Sequence, residues 1–415
     1  MSLEEKMMIQ ERARNRATWV NPAIVLMVLN LAAVLVYFFV ALRYNYLANV
    51  GRLVFASPDA EKYRDIGDWL LGKSNGVPTA AVLFPFFYPL LVGTIRSITH
   101  NAYVIWVTQF VFWLAAVNLI SASVYLLTKR RLLAVIAFGV MMLNVSLIVL
   151  TFYALTEATV VFLLSLWTFA LARLGAANWS FKHVLILTFL LSMLAVVKPV
   201  FEIPLLIFVA YVLIFRPGRI KNGFCILLAL FPVYIQFFIM VNAFNVFGLA
   251  QVGDVTVRRY FLSQVYSARE NVSLDTARSW VEHYSNAQVV SYALSNPTTS
   301  FSVYVQNLIG NMTGGPLFTE TFPKPYVFGR LTNAVYLVIH FLLLVPMCYI
   351  ILVKRKAPVS ITLLYIFVLV IFLTSGISAN EGDRLIATAL PLWMAAYLSA
   401  FAMVLPQSSV KESRA

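Results

Sequence analysis

Apolar runs of about 17 to 25 residues, each long enough to cross a hydrocarbon core of about 30 Å as a helix, recur along the whole chain. Nothing else in the sequence constrains the fold as strongly. In lipid, every backbone N–H and C=O must be satisfied inside the membrane, which a helix does within its own segment. Composition agrees, with 61% of the 415 residues hydrophobic and only 12% charged, against about 25% charged in soluble domains. The sequence therefore predicts an all-α polytopic membrane protein. Its first run begins near Ile24 behind a basic leader and lacks a small-residue cleavage site at its end, so a retained helix is expected there.

The spans expected are 22–42, 103–127, 132–152, 157–173, 183–198, 200–215, 222–243, 333–353, 358–378 and 385–405. A further apolar stretch, 79–98, carries Pro85 and Pro89 and follows Pro78. It is read as a helix lying on, or dipping into, the outer leaflet, because a full crossing would put Lys129, Arg130 and Arg131 outside. With that choice the basic clusters Lys6/Arg12/Arg14/Arg16, Lys129–Arg131, Arg173/Lys182, Arg216/Arg219/Lys221, Lys354–Lys356 and Lys411/Arg414 all face the cytoplasm. They then hold more than half of the 31 Lys and Arg against four of the 17 acids, as the positive-inside rule requires. The net charge of +14 is thus a matter of topology, and no nucleic-acid partner is expected.

The organisation expected is a cytoplasmic tail at 1–18 and a transmembrane core at 19–243, containing a first outer loop (43–78) and the juxtamembrane segment (79–98). An extracytoplasmic helical loop (244–332), C-terminal transmembrane helices (333–405) and a second tail (406–415) follow. Ser273 reads as the cap of a helix within the large loop. Cys225 and Cys348 both fall in apolar runs and the four histidines are scattered, so neither a disulfide framework nor a thiolate metal site is expected.

The stretch "SPDAEKYRDIGDWLLG", residues 57–72, places Asp59, Glu61, Asp65 and Asp68 just beyond the first span. Asp59 is expected at a helix N-cap, and Asp68 facing solvent or headgroups. With the topology above, Glu157, Lys198, Glu202, Glu381, Asp383 and Arg384 all map near outer helix ends, on the side that Asp59 and Glu61 face. A charge at bilayer depth costs about 2.5 to 3.5 kcal/mol on insertion scales, so a cluster of them points to a site or an aqueous cavity. Glu202 and Asp383 can equally mark where a helix meets outer water.

The pattern Asp, two residues, a basic residue, Tyr, then an apolar helix ending in Leu-Leu-x-Gly resembles the first outer loop of GT-C fold glycosyltransferases. The similarity is to the protein O-mannosyltransferase and aminoarabinose-transferase group. "FPFFYPLLVG", "ALTEATVVFLLSL", "VVKPVFEIP" and "EGDRLIATALPLW" resemble later elements of the same group, in order, over most of residues 20–400. The chain departs from the pattern at Ala60, where a second acid is common, at Phe84, where the aminoarabinose branch has a basic residue, and at Leu385, where an aromatic is common.

The resemblance implies a GT-C architecture of ten or eleven transmembrane helices. It also implies an inverting glycosyltransferase of the inner (plasma) membrane, working on the extracytoplasmic face. Such an enzyme moves a monosaccharide from a polyprenyl-phosphate carrier, such as an undecaprenyl phosphate, to a glycan, lipid or protein acceptor. On that reading Asp59 is the base, with Glu61 in reserve, and Lys62, Arg384 and Lys198 meet the donor phosphate. Tyr63, Tyr88, Glu157 and Glu381 are the substrate-binding candidates. No cofactor is required, and a divalent cation is left open. An O-antigen polymerase or ligase and a secondary transporter are the alternatives.

Overall fold

The computed structural model describes residues 22–174, 179–313, 358–378 and 384–405, with scattered positions between 331 and 350. Every regular element among them is helical. Four helices are long and apolar enough to cross a membrane unaided: α1 (Pro22–Arg43), α4 (Ala102–Thr128), α7 (Thr156–Leu174) and α17 (Arg384–Val404). Along α1 the side chains of Met27, Leu31, Leu35, Phe39 and Leu42 are 59–67% exposed. So much large apolar surface left uncovered on a helix of this length belongs against lipid. The protein is an all-α membrane protein.

The other expected spans are shorter or interrupted. The span placed at 132–152 is broken at Asn144, which separates α5 (Arg131–Leu143) from α6 (Val145–Leu150). Asn144 adopts an extended backbone, and its side chain accepts the Leu147 N–H at 2.9 Å. It caps the second helix instead of continuing the first. The span at 222–243 is bent by 52° between α10 (Arg219–Ala229) and α11 (Phe231–Phe244). The cause is Pro232, which has no N–H to donate and crowds the carbonyl four residues back.

Between them lie α8 (Phe181–Ala195) and α9 (Glu202–Phe215), joined through a one-turn 3-10 helix, Pro199–Phe201. Late in the chain, α16 (Val359–Ser375) has 17 residues. The span expected at 333–353 lies largely outside the described residues.

The stretch 79–98 contains α3 (Phe87–Ile98), whose 12 residues extend about 18 Å, less than a hydrocarbon core. It lies against α2 (Pro58–Leu70). Their contact is backbone on backbone: a Cβ added at Gly93 would stand 2.7 Å from the Gly67 carbonyl oxygen. Beside that contact Arg96 donates to Asp68 at 2.7 Å. The Asp68 carboxylate is therefore half-buried and paired, where the sequence suggested a solvent-facing acid.

The core is a bundle in which α4 lies along α7, and α17 covers α16, α7 and α4. An aromatic knot ties α1 to it. The Tyr37 ring lies 4.6 Å from Phe110, 5.1 Å from Trp113 and 5.6 Å from Phe152. Its hydroxyl receives the Trp106 indole N–H at 2.8 Å and bonds to Thr151 Oγ1 at 2.6 Å. Tyr37→Phe keeps the ring but strands that buried N–H. The expected loss is about 1–3 kcal/mol, read as a fall in the unfolding midpoint of detergent-solubilised protein.

Residues 251–313 form a helical segment that packs on the bundle through its last helix. A π-helical stretch, Thr256–Leu262, leads into α12 (Ser263–Glu270), α13 (Leu274–Glu282), α14 (Asn286–Ser295) and α15 (Pro297–Thr313). Ser273 caps α13 by accepting the Thr276 N–H, as its sequence position predicts. Leu262, Val281 and Val289 make a small core of their own.

Candidate active site

Three helices begin at one place, and each carries a carboxylate in its first turn: Asp59 in α2, Glu157 in α7 and Glu202 in α9. The positive ends of helix dipoles favour that placement. Asp59 is not the N-cap. Ser57 is, accepting the Ala60 N–H at 3.1 Å, with Pro58 in the first helical position. A cap oxygen is turned back onto its own helix, whereas a residue two positions on can point away, and Asp59 does. A backbone bond from Ala154 N to Val54 O at 2.7 Å draws the loop before α2 onto the segment before α7. That bond brings Asp59 over Glu157.

Arg384, the first residue of α17, joins them. A cation at a helix N-terminus is opposed by the dipole, and here two acids compensate it. Its Nε donates to Glu157 Oε1 at 2.9 Å, and one terminal nitrogen donates to Asp59 Oδ2 at 3.3 Å. Lys198, at the corner between α8 and α9, reaches the same Glu157 oxygen at 3.3 Å. Lys62 reaches Asp59 Oδ1 at 3.5 Å and lies over the Phe84 ring. Glu157 is fully buried, and Arg384 and Lys198 nearly so. Three cations and two acids thus form one chain, Lys62–Asp59–Arg384–Glu157–Lys198.

Three of these groups, Asp59, Lys198 and Arg384, border a cavity of about 390 Å³, with Thr156 and Glu202 also on its polar side. Phe84, Ile203, Val252, Val257 and Ile371 make an apolar side. The buried amide of Gln236 in α11 holds two walls together, accepting from Phe86 N and donating to Leu249 O. A third wall is pinned from α15, where Asn311 donates to the carbonyls of Ser375 and Ser378.

Tyr63 lines the cavity with its ring edge-on to Phe84 and Tyr88. Burial, reinforced by the charges of Asp59 and Glu157, pushes its phenol well above the usual range. It therefore remains an O–H donor at any physiological pH.

Of the residues singled out from sequence, Asp59, Tyr63, Glu157, Lys198 and Arg384 come together, with Lys62 flanking Asp59. Glu61 does not join them: it is exposed on the far side of α2, because a neighbour two positions from Asp59 faces a different direction on a helix. Tyr88 is buried behind Tyr63 and borders a separate small space with Gln109 and Thr159. Glu381 and Asp383 lie outside the described residues. Glu202, expected near an outer helix end and equally readable as the mark of a helix meeting water, lies on the cavity wall.

Among the described residues no three His, Cys, Asp or Glu side chains gather to hold a metal ion. Both Asp59 oxygens face cations, so the described residues of the cluster do not fit a divalent-cation site. The chain matches no family model, no curated protein and no solved structure.

Proposed function

We propose that the protein is an inverting glycosyltransferase of the plasma (inner) membrane, taking a sugar from a polyprenyl-phosphate carrier at the extracytoplasmic face. The observation that carries the reading is the convergence of Asp59, Lys198 and Arg384 on one cavity that also has an apolar wall. That combination suits a ligand with an anionic headgroup, a polar sugar and a lipid tail. Clustering of the charges at one end of the bundle, instead of at mid-depth between symmetric halves, favours chemistry over transport.

The acceptor hydroxyl oxygen attacks the anomeric carbon, and its proton passes to Asp59. The bond from that carbon to the phosphate oxygen breaks, and its electron pair leaves on the lipid phosphate. Lys198 and Arg384, with Lys62 at the edge, meet the charge that gathers there. One displacement inverts the anomeric configuration.

The test is transfer from purified polyprenyl-phosphate sugars to cell-envelope acceptors in proteoliposomes. Asp59→Asn is expected to lower the rate by about 10²- to 10⁴-fold while the protein still purifies as a folded monodisperse species. If no carrier supports transfer by the wild type and Asp59→Asn complements a deletion strain fully, Asp59 is a salt-bridge partner only. A transporter then becomes the better description.

A further inference from the structure

Among the described residues, Glu202 is the one acid on the cavity wall that the charge chain does not use. It opens α9 one 3-10 turn beyond Lys198. It is half-buried and lines the cavity. Asp59 and Glu157 each have oxygens bound to cations. Among the described residues no cation or hydrogen-bond donor meets the Glu202 carboxylate. Two hydroxyls on the cavity lining are engaged elsewhere, Thr256 donating to Val252 O and Thr374 to Val370 O. A carboxylate with both oxygens uncommitted accepts two hydrogen bonds side by side.

The nature of the missing donors follows from the surroundings. The neighbouring charge chain, with three cations against two acids, keeps a net positive charge that weakens the pull on an ammonium ligand and leaves neutral hydroxyls favoured. Ile203, Val252 and Val257 offer apolar contact beside the acid, suited to the C–H faces of a sugar ring. A phosphate held at Lys198 places the sugar attached to it within reach of Glu202, since a single turn, Pro199–Phe201, separates the two residues.

Resting on the transferase reading, we propose that Glu202 binds a pair of neighbouring hydroxyls on a hexose in the cavity. The transferred sugar is the nearer source, and an acceptor sugar is the other.

The experiment compares wild type, Glu202→Gln and Glu202→Asp in lipid nanodiscs. Binding of bare polyprenyl phosphate is measured against binding of its glucose, mannose and galactose derivatives. The wild type is expected to prefer one glycosylated carrier over the bare one. Glu202→Gln should lose about ten-fold or more of that preference, the worth of hydrogen bonds to a charged group, while affinity for the bare carrier stays the same. Glu202→Asp should recover part of it.

If the preference survives in Glu202→Gln but KM for a methyl hexoside acceptor rises about ten-fold with kcat unchanged, the acceptor is the source of the hydroxyls. If neither quantity moves, the inference is overturned. A wild type that binds neither bare nor glycosylated carriers overturns the transferase reading itself, and this inference with it.

Discussion

Replacing Glu157 by Gln is expected to lower the unfolding free energy by about 3–5 kcal/mol, the usual effect of breaking a buried ion pair from one side. The size follows from burial. Glu157 is inaccessible to solvent, and Arg384 and Lys198, 12% and 15% exposed, both bind its Oε1. Removing the charge leaves two cations facing each other without their shared anion. A surface pair would contribute about 0–1 kcal/mol and the same substitution would pass almost unnoticed.

The readout is the unfolding transition in detergent. Adding Lys198→Met to Glu157→Gln should recover part of the loss, because it removes one of the stranded charges. An additive double mutant would show that the three groups do not act as a unit.

Gly67→Ala is expected to cost about 1–3 kcal/mol of stability and about 100-fold in transfer rate. The new methyl would run into the carbonyl oxygen of Pro89 and the backbone of Gly93, neither of which can swing aside as a side chain would. α2 must therefore move off α3, and it carries Asp59 and Lys62 with it. Displacements of about 1 Å suffice for a loss of that size in a positioned site. Gly93→Ala should act alike, since it meets Gly67 from the other side. Gly51, with nothing within 4 Å of an added Cβ, is the control, and Gly51→Ala should leave rate and stability unchanged.

Much of this arrangement was legible in the sequence, and the reasons for the remainder are physical. The long helices α1, α4, α7 and α17 start and end within two residues of their expected positions, because continuous apolarity is a local signal. Charges inside or bordering those runs pointed to Asp59, Glu157, Lys198 and Arg384, since lipid makes such residues costly anywhere but in a paired cluster. Asn144 was hidden because an Asn in an apolar run looks the same whether it continues a helix or caps the next one.

The exchange of roles between Ser57 and Asp59 depended on one residue of register. The involvement of Glu202 and the exclusion of Glu61 and Tyr88 depend on which faces meet. Contacts such as Ala154 with Val54 and Phe86 with Gln236 decide that, and they join segments that no local pattern connects.

The charge chain also has a history during synthesis. Lys198 follows Glu157 by 41 residues, but Arg384 follows it by 227. At ribosomal speeds of about 5–20 residues per second, that second interval lasts roughly 11 to 45 seconds. For most of it, once the 41 residues up to Lys198 are made, Glu157 sits in a helix already made, with Lys198 as the only one of its two cationic partners yet translated. The corner that holds Lys198 therefore acts first as an escort for a newborn acidic helix, and only with the arrival of the last helix as part of a finished site.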